Sequence, residues 1–90
     1  MRRVIWTDEA RANLLAIRNY IAQFSPLAAQ RFSLKLVAAA EDLAENPDRG
    51  RKVGPGRREL SLIRPYLIRY RVEDEAVFIL RIRHAARRPD

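Results

Sequence analysis

The 90-residue chain has no cysteine, one histidine, one tryptophan and three glycines. Without cysteine there is no disulfide framework, no zinc–thiolate site and no thiol nucleophile. The lone histidine, His84, has no second histidine, cysteine or carboxylate pair beside it, so it does not make a metal site. No apolar run approaches the ~20 residues that span a bilayer. Met1-Arg2-Arg3-Val4 leads directly into Trp6 and charged residues, unlike a signal peptide. The expectation is one small soluble cytoplasmic domain, residues 1–90, with no cofactor and no membrane partner. All three glycines fall in Asp48-Arg-Gly-Arg-Lys-Val-Gly-Pro-Gly-Arg-Arg58. They lack the Walker spacing, and no strand feeds a helix there, so a flexible basic loop is expected.

Apolar residues make up 48% of the chain, which favours a folded protein over a disordered basic tail. The 18 Lys+Arg exceed the 11 Asp+Glu by seven. The excess lies in one half: residues 1–48 carry six bases and six acids, whereas residues 49–90 carry eleven arginines and Lys52 against five acids. Arginine outnumbers lysine 16 to 2, and its planar fork suits phosphate and carboxylate where lysine offers a solvated point charge. A neutral front half and a basic back half imply a scaffold joined to a surface for an acidic partner.

Arg2 to Trp6 alternates as a strand. Thr7 can cap a helix whose first turn holds Asp8 and Glu9, the sign its dipole favours. Ala10, Leu14, Ile17, Ile21 and Phe24 recur at helical steps on one face. Ser25-Pro26 ends that helix and starts another, whose face is Ala29, Phe32, Leu36, Ala39, Ala40 and Leu43. The short turn between them requires an antiparallel hairpin. From Glu59 the period becomes two, with breaks at Arg64-Pro65 and Glu73-Asp74-Glu75, giving a three-stranded antiparallel meander.

Parity sets an expected register. Ile68, Tyr70 and Val72 pair with Phe78, Leu80 and Ile82 on the core side, Val72 lying opposite Phe78. Arg69 then faces Arg81, Arg71 faces Ile79, Leu62 faces Ile68 and Glu59 faces Arg71. The other face gathers Arg69, Arg71, Arg81 and Arg83, with Glu59 as near counter-charge. That arrangement serves either an anionic partner or a solvated face screened by salt. The same parity puts His84 on the core side, at the strand end. Tyr66 and Tyr70 read as packing residues whose hydroxyls need partners, and Trp6 as an anchor of the first strand.

This order of elements resembles the ParE/RelE superfamily, the toxins of type II toxin–antitoxin modules, and its ParE-like branch in particular. The resemblance rests on Trp6 before a helix carrying Ile17-Arg18-Asn19-Tyr20-Ile21, and on Pro26-Leu27-Ala28-Ala29 opening the second helix. Leu43-Ala44-Glu45-Asn46-Pro47 with Gly50-Arg51 closes that helix, and Arg58-Glu59-Leu60 begins the sheet. Pro65-Tyr66-Leu67-Ile68-Arg69-Tyr70-Arg71-Val72 and Val77-Phe78-Ile79-Leu80-Arg81-Ile82-Arg83-His84 complete it. The resemblance implies an α+β fold: an N-terminal strand and an antiparallel helical hairpin packed on a C-terminal antiparallel meander. It also implies a growth-arresting toxin held by a cognate antitoxin in a hetero-oligomer, the antitoxin being acidic with a C-terminal segment that folds on docking.

ParE-like members are associated with inhibition of DNA gyrase, and RelE-like members with ribosome-dependent mRNA cleavage; the shared fold does not choose between them. Cleavage through a 2′-OH needs a base, an acid and a cation for the developing charge. Arg69, Arg81 and His84 are the candidates for that chemistry, with Glu59 as a partner for His84, and the terminal tyrosine frequent in the ribonuclease branch is missing. The reading favoured from sequence is a gyrase-binding toxin without catalysis of its own. Arg69, Arg71, Arg81, Arg83, Arg87 and Arg88 are its expected target contacts. Leu14, Arg18, Tyr20, Ile21 and Phe32 are its expected antitoxin contacts.

Overall fold

The computed structural model describes residues 2–86, leaving aside the side chains of residues 62 and 63. Strand β1 (Arg3–Trp6) leads into helix α1 (Asp8–Ala22), and helix α2 (Pro26–Asp42) follows. After a single 3-10 turn, Pro47–Arg49, come strands β2 (Arg51–Gly54), β3 (Arg57–Ile63), β4 (Tyr66–Val72) and β5 (Ala76–His84). The strands form one sheet in the order β1-β5-β4-β3-β2. β1 runs parallel to β5 and every other pairing is antiparallel.

Both helices start where the sequence places their caps. Thr7 Oγ1 accepts from the Ala10 amide at 3.1 Å, and Ser25 Oγ from the Ala28 amide at 3.1 Å, each satisfying an orphan first-turn donor. The Thr7 hydroxyl also donates to the Ile79 carbonyl at 2.8 Å and so ties the helix start to β5. β1 ends at Trp6, opposite Ile79, leaving the far half of β5 without a strand neighbour on that side, while its other side stays paired with β4. Helix α1 finishes that edge, with Asn13 Oδ1 accepting from the Ile82 amide at 3.0 Å.

The core lies between the hairpin and one sheet face. Phe32, Leu36, Ala39, Ala40 and Leu43 of the α2 segment meet Leu60, Ile68, Tyr70, Val77, Ile79 and Ile82, with Ala10 from α1. Leu14, Ile17 and Ile21 pack on its margin, half-buried, as does Trp6. Nearly the whole expected helical face is therefore inward. Phe24 departs from it and is 74% exposed. It lies beyond the last turn of α1, where the 3.6-residue period no longer fixes direction, and its ring instead meets Tyr20 edge-on at 5.5 Å.

Three further expectations are corrected. The segment 48–58 is not a loop throughout: Arg51–Gly54 adds to the edge of β3. Its side chains do not alternate, and it is held by backbone pairing at an edge, which leaves no period to read. On the β3–β4 side, Leu60 and not Leu62 lies opposite Ile68, and Glu59 faces Arg69 in place of Arg71. That is a slip of two residues, so the faces are unchanged.

On the β4–β5 side, Val72 pairs with Val77, Arg71 with Phe78 and Tyr70 with Ile79, whereas Arg69 pairs with Arg81 as expected. Leu80 is the extra residue of a β-bulge. Before it, Val77 and Ile79 point to the core and Phe78 outward; after it, Ile82 points to the core. Strict alternation would turn Phe78 and Leu80 inward, and the bulge is the reason it fails.

Tyr70, fully buried, anchors the 3-10 turn. Its hydroxyl donates to the Pro47 carbonyl at 2.6 Å and accepts from the Gly50 amide at 2.8 Å. Burial pushes the phenol pKa up, so it stays a donor. Arg58 reaches the same turn, donating to the Gly50 carbonyl at 2.8 Å. A Cβ at Gly50 would stand 2.7 Å from both the Glu59 carbonyl oxygen and the Tyr70 hydroxyl. Gly50→Ala is expected to destabilise the fold by about 2–3 kcal/mol through overpacking. Tyr70→Phe, which strands a buried amide and carbonyl, is expected to do so by about 1–3 kcal/mol. Equilibrium urea unfolding at constant m-value checks both.

Candidate functional site

The sheet face away from the helices carries the arginines. Arg51, Glu59, Arg69 and Arg81 are successive cross-strand partners and form one row across β2, β3, β4 and β5. Arg57, Arg71, Phe78 and Ile5 form a second row, over β3, β4, β5 and β1. Arg83, paired with Leu67, lies beyond the first row. Six arginines thus share one face that no helix covers.

Like charges opposite one another on a sheet are destabilising unless something intervenes, and Glu59 intervenes. Its side chain is 1% exposed, beneath Arg69 and Arg83 at 14% and 13%. Arg69 donates through Nε and Nη2 to Oε2 at 3.0 and 2.7 Å. Arg83 donates through Nε to Oε2 at 3.1 Å and through Nη2 to Oε1 at 3.3 Å. Arg51 Nη2 stands 3.8 Å from Oε1.

Burial alone would raise the pKa of this carboxyl. The hydrogen bonds and charges of Arg83 and Arg69 outweigh it and hold the group below the usual glutamate value. Glu59 is therefore ionised and saturated with donors, a poor general base. Two of the remaining charges have peripheral partners. Arg81 meets Glu9 of the first turn of α1 at 2.9 Å, and Arg71 meets Glu73 at 2.8 Å while its guanidinium lies 4.9 Å above the Phe78 ring.

His84 is on the other face. It pairs across the strands with Tyr66, whose ring touches Phe32 of α2 edge-on at 5.1 Å and His84 at 5.5 Å. Its Nδ1 accepts from the Ala86 amide at 3.1 Å. The sheet thus stands between His84 and the arginine face that holds Arg69 and Arg81. Arg69, Arg71, Arg81 and Arg83 come together as one surface, and Arg87 and Arg88 lie outside the described residues. Sequence reasoning omitted Arg51 and Arg57 from this surface, because both sit in the glycine-containing segment. Glu59, expected as a nearby counter-charge and as a partner for His84, is its centre, bound to Arg69 and Arg83 and across the sheet from His84. Among the described residues no group of three His, Cys, Asp or Glu could hold a metal.

Of the expected antitoxin contacts, Arg18 and Tyr20 are exposed on α1, Leu14 and Ile21 are half-buried against the core, and Phe32 is buried. The hairpin also exposes Leu15, Phe24, Leu27, Leu34 and Val37, an apolar surface that core-face periodicity does not reveal. Beside α2, Ser25, Leu27, Ala28, Arg31, Phe32 and Lys35 line a groove of about 320 Å³ with two cations at its rim.

The fold that carries this site is shared with known proteins. The family described as the ParE toxin of type II toxin–antitoxin system, parDE, matches residues 4–89. The chain is 59% identical over 87 residues to Toxin RelE2 of Caulobacter vibrioides, covering 97% of this chain and 99% of that protein. It is 35% identical to Toxin RelE3 of the same organism, covering 98% and 99%. Among solved structures, the chromosomal ParDE TA system from P. aeruginosa superposes with a TM-score of 0.80 at 32% identity, over 93% of this chain and 96% of that one. The chain belongs to the ParE toxin family of type II toxin–antitoxin systems.

The Glu59 cluster has a pH signature. A carboxyl whose folded pKa lies below its ordinary 4.5 contributes stability that is full above that value and lost as pH falls through the lower, folded one. Glu59→Gln is expected to lower stability at neutral pH by about 1–3 kcal/mol. The gap between wild type and variant should narrow on acidification below about 4.5, as thermal unfolding at a series of pH values would record.

Proposed function

We propose that this chain is a growth-arresting toxin that binds DNA gyrase through the outer sheet face. In this reading it is neutralised in the cytoplasm by an acidic antitoxin that docks on the helical hairpin. The observation that carries the choice of a binder over a ribonuclease is the separation of His84 from the arginines. Cleavage through a 2′-OH needs a base and an acid at the same phosphate as the cation. Here Arg69 and Arg81 lie on one side of the sheet and His84 on the other, and the carboxylate nearest the arginines is committed to them.

The hairpin supports the antitoxin part. Tyr20, Phe24, Leu27 and Leu34 are each more than half exposed, and the groove beside Leu27 has Arg31 and Lys35 at its rim. An amphipathic segment with an apolar face and acidic flanks suits both features. Among the described residues no helix is long and apolar enough to cross a membrane.

Purified, antitoxin-free protein is expected to abolish gyrase supercoiling and trap cleaved DNA, with relief on adding antitoxin. Unaffected gyrase beside undiminished killing of cells would defeat the proposal. A change at His84 separates the two chemistries independently: His84→Gln should leave growth arrest intact if the protein acts by binding, and abolish it without unfolding if it cleaves RNA. For the hairpin, Phe24→Asp or Leu27→Asp is expected to weaken antitoxin binding at least about tenfold, readable by calorimetry, without altering the gyrase assay.

A further inference from the structure

Glu59 is an acid buried in the middle of a surface otherwise built to attract anions. We propose that it is a positioning residue: it holds Arg69 and Arg83 as a fixed pair of guanidiniums that together take a phosphodiester of duplex DNA. This rests on reading the outer face as the target surface.

Three observations lead there. Glu59 binds each arginine by two hydrogen bonds, so both guanidinium planes are set by one carboxylate. Arg69 turns its Nε–Nη2 edge to Glu59, which leaves its Nη1 end directed away from the carboxylate. Rotamer freedom that a surface arginine loses on binding is here lost already on folding, the general basis of preorganised recognition. Lastly, the cations are spread over two rows, Arg51, Arg69 and Arg81 in one and Arg57 and Arg71 in the other, with Arg83 beyond. A distributed array fits a repeating polyanion better than the isolated carboxylates of a protein surface, and arginine forks are well matched to phosphate oxygens.

The sign of one substitution separates positioning from bulk charge. Removing an acid raises the net charge, and counterion release alone then makes a polyanion bind more tightly. Positioning requires the reverse. Full-length wild type, Glu59→Gln, the double variant Arg69→Lys/Arg83→Lys and the double variant Arg69→Ala/Arg83→Ala would be titrated into a fluorescein-labelled duplex of about 20 base pairs at several salt concentrations. Anisotropy reports binding and circular dichroism reports folding.

Glu59→Gln is expected to bind about fivefold or more weakly than wild type despite its added charge. The lysine double variant keeps the charge and loses the forks, and it should weaken binding similarly. Equal or tighter binding by Glu59→Gln overturns the proposal. Should that variant fail to fold, wild-type affinity in the lysine variant overturns it, since charge alone then suffices. Wild-type affinity in the alanine variant overturns the site itself. If wild type does not bind the duplex but its gyrase inhibition is lost in the alanine variant, the ligand is an acidic protein surface and the phosphodiester assignment falls. Fork-dependent duplex binding by a protein that leaves gyrase untouched would defeat the gyrase reading and uphold the role of Glu59.

Discussion

The placement of both core and site depends on one residue too many in β5. With Leu80 left out of the pairing, Val77 and Ile79 point into the hairpin before the bulge and Ile82 after it. The same offset brings Arg81 opposite Arg69 and lets Arg83 join Glu59. A strand without the bulge would have to choose: either its first half or its second half would present the wrong side to the core. Bulges commonly re-aim side chains beside functional surfaces, and here the re-aimed side chains are arginines.

Once that offset is made, the outer face needs internal compensation. Several guanidiniums side by side on adjacent strands repel one another, and salt screens them incompletely at these separations. Glu59 meets two of them by direct hydrogen bonds, and Glu9 and Glu73 take up Arg81 and Arg71 from the periphery. The compensation is central for the least exposed pair and peripheral for Arg71 and Arg81. The burial of Glu59 is therefore tolerable, since a buried charge is costly unless paired and hydrogen-bonded on several sides.

Much of this is legible in the residues. Cap residues Thr7 and Ser25 follow from the side-chain oxygens they offer at a helix start. The inward faces of both helices and the arginine-rich sheet face follow from periods of 3.6 and two, because burial enforces those periods. Three of the misreadings share one cause, which is loss of period. Leu80 interrupts alternation, Phe24 lies past a helix end, and Arg51–Gly54 is an edge strand held by its backbone. The slip of two between β3 and β4 is invisible to parity, because an even slip keeps every face. The separation of His84 from the arginines follows from alternation, since Ile82 and His84 share a side. The depth of Glu59 does not, because nothing in a one-dimensional pattern tells a rim acid from a central one.

A sheet covered on one side and bare on the other divides its own sequence into two interleaved texts. Along β4, Ile68 and Tyr70 answer to the packing of the hairpin, while Arg69 and Arg71 between them answer to whatever meets the outer surface. Substitutions in the second set leave the first nearly untouched, apart from the positions tied to Glu59. A lineage built on this scaffold can therefore change what its outer surface meets one alternate residue at a time, without first having to rebuild the fold that carries it.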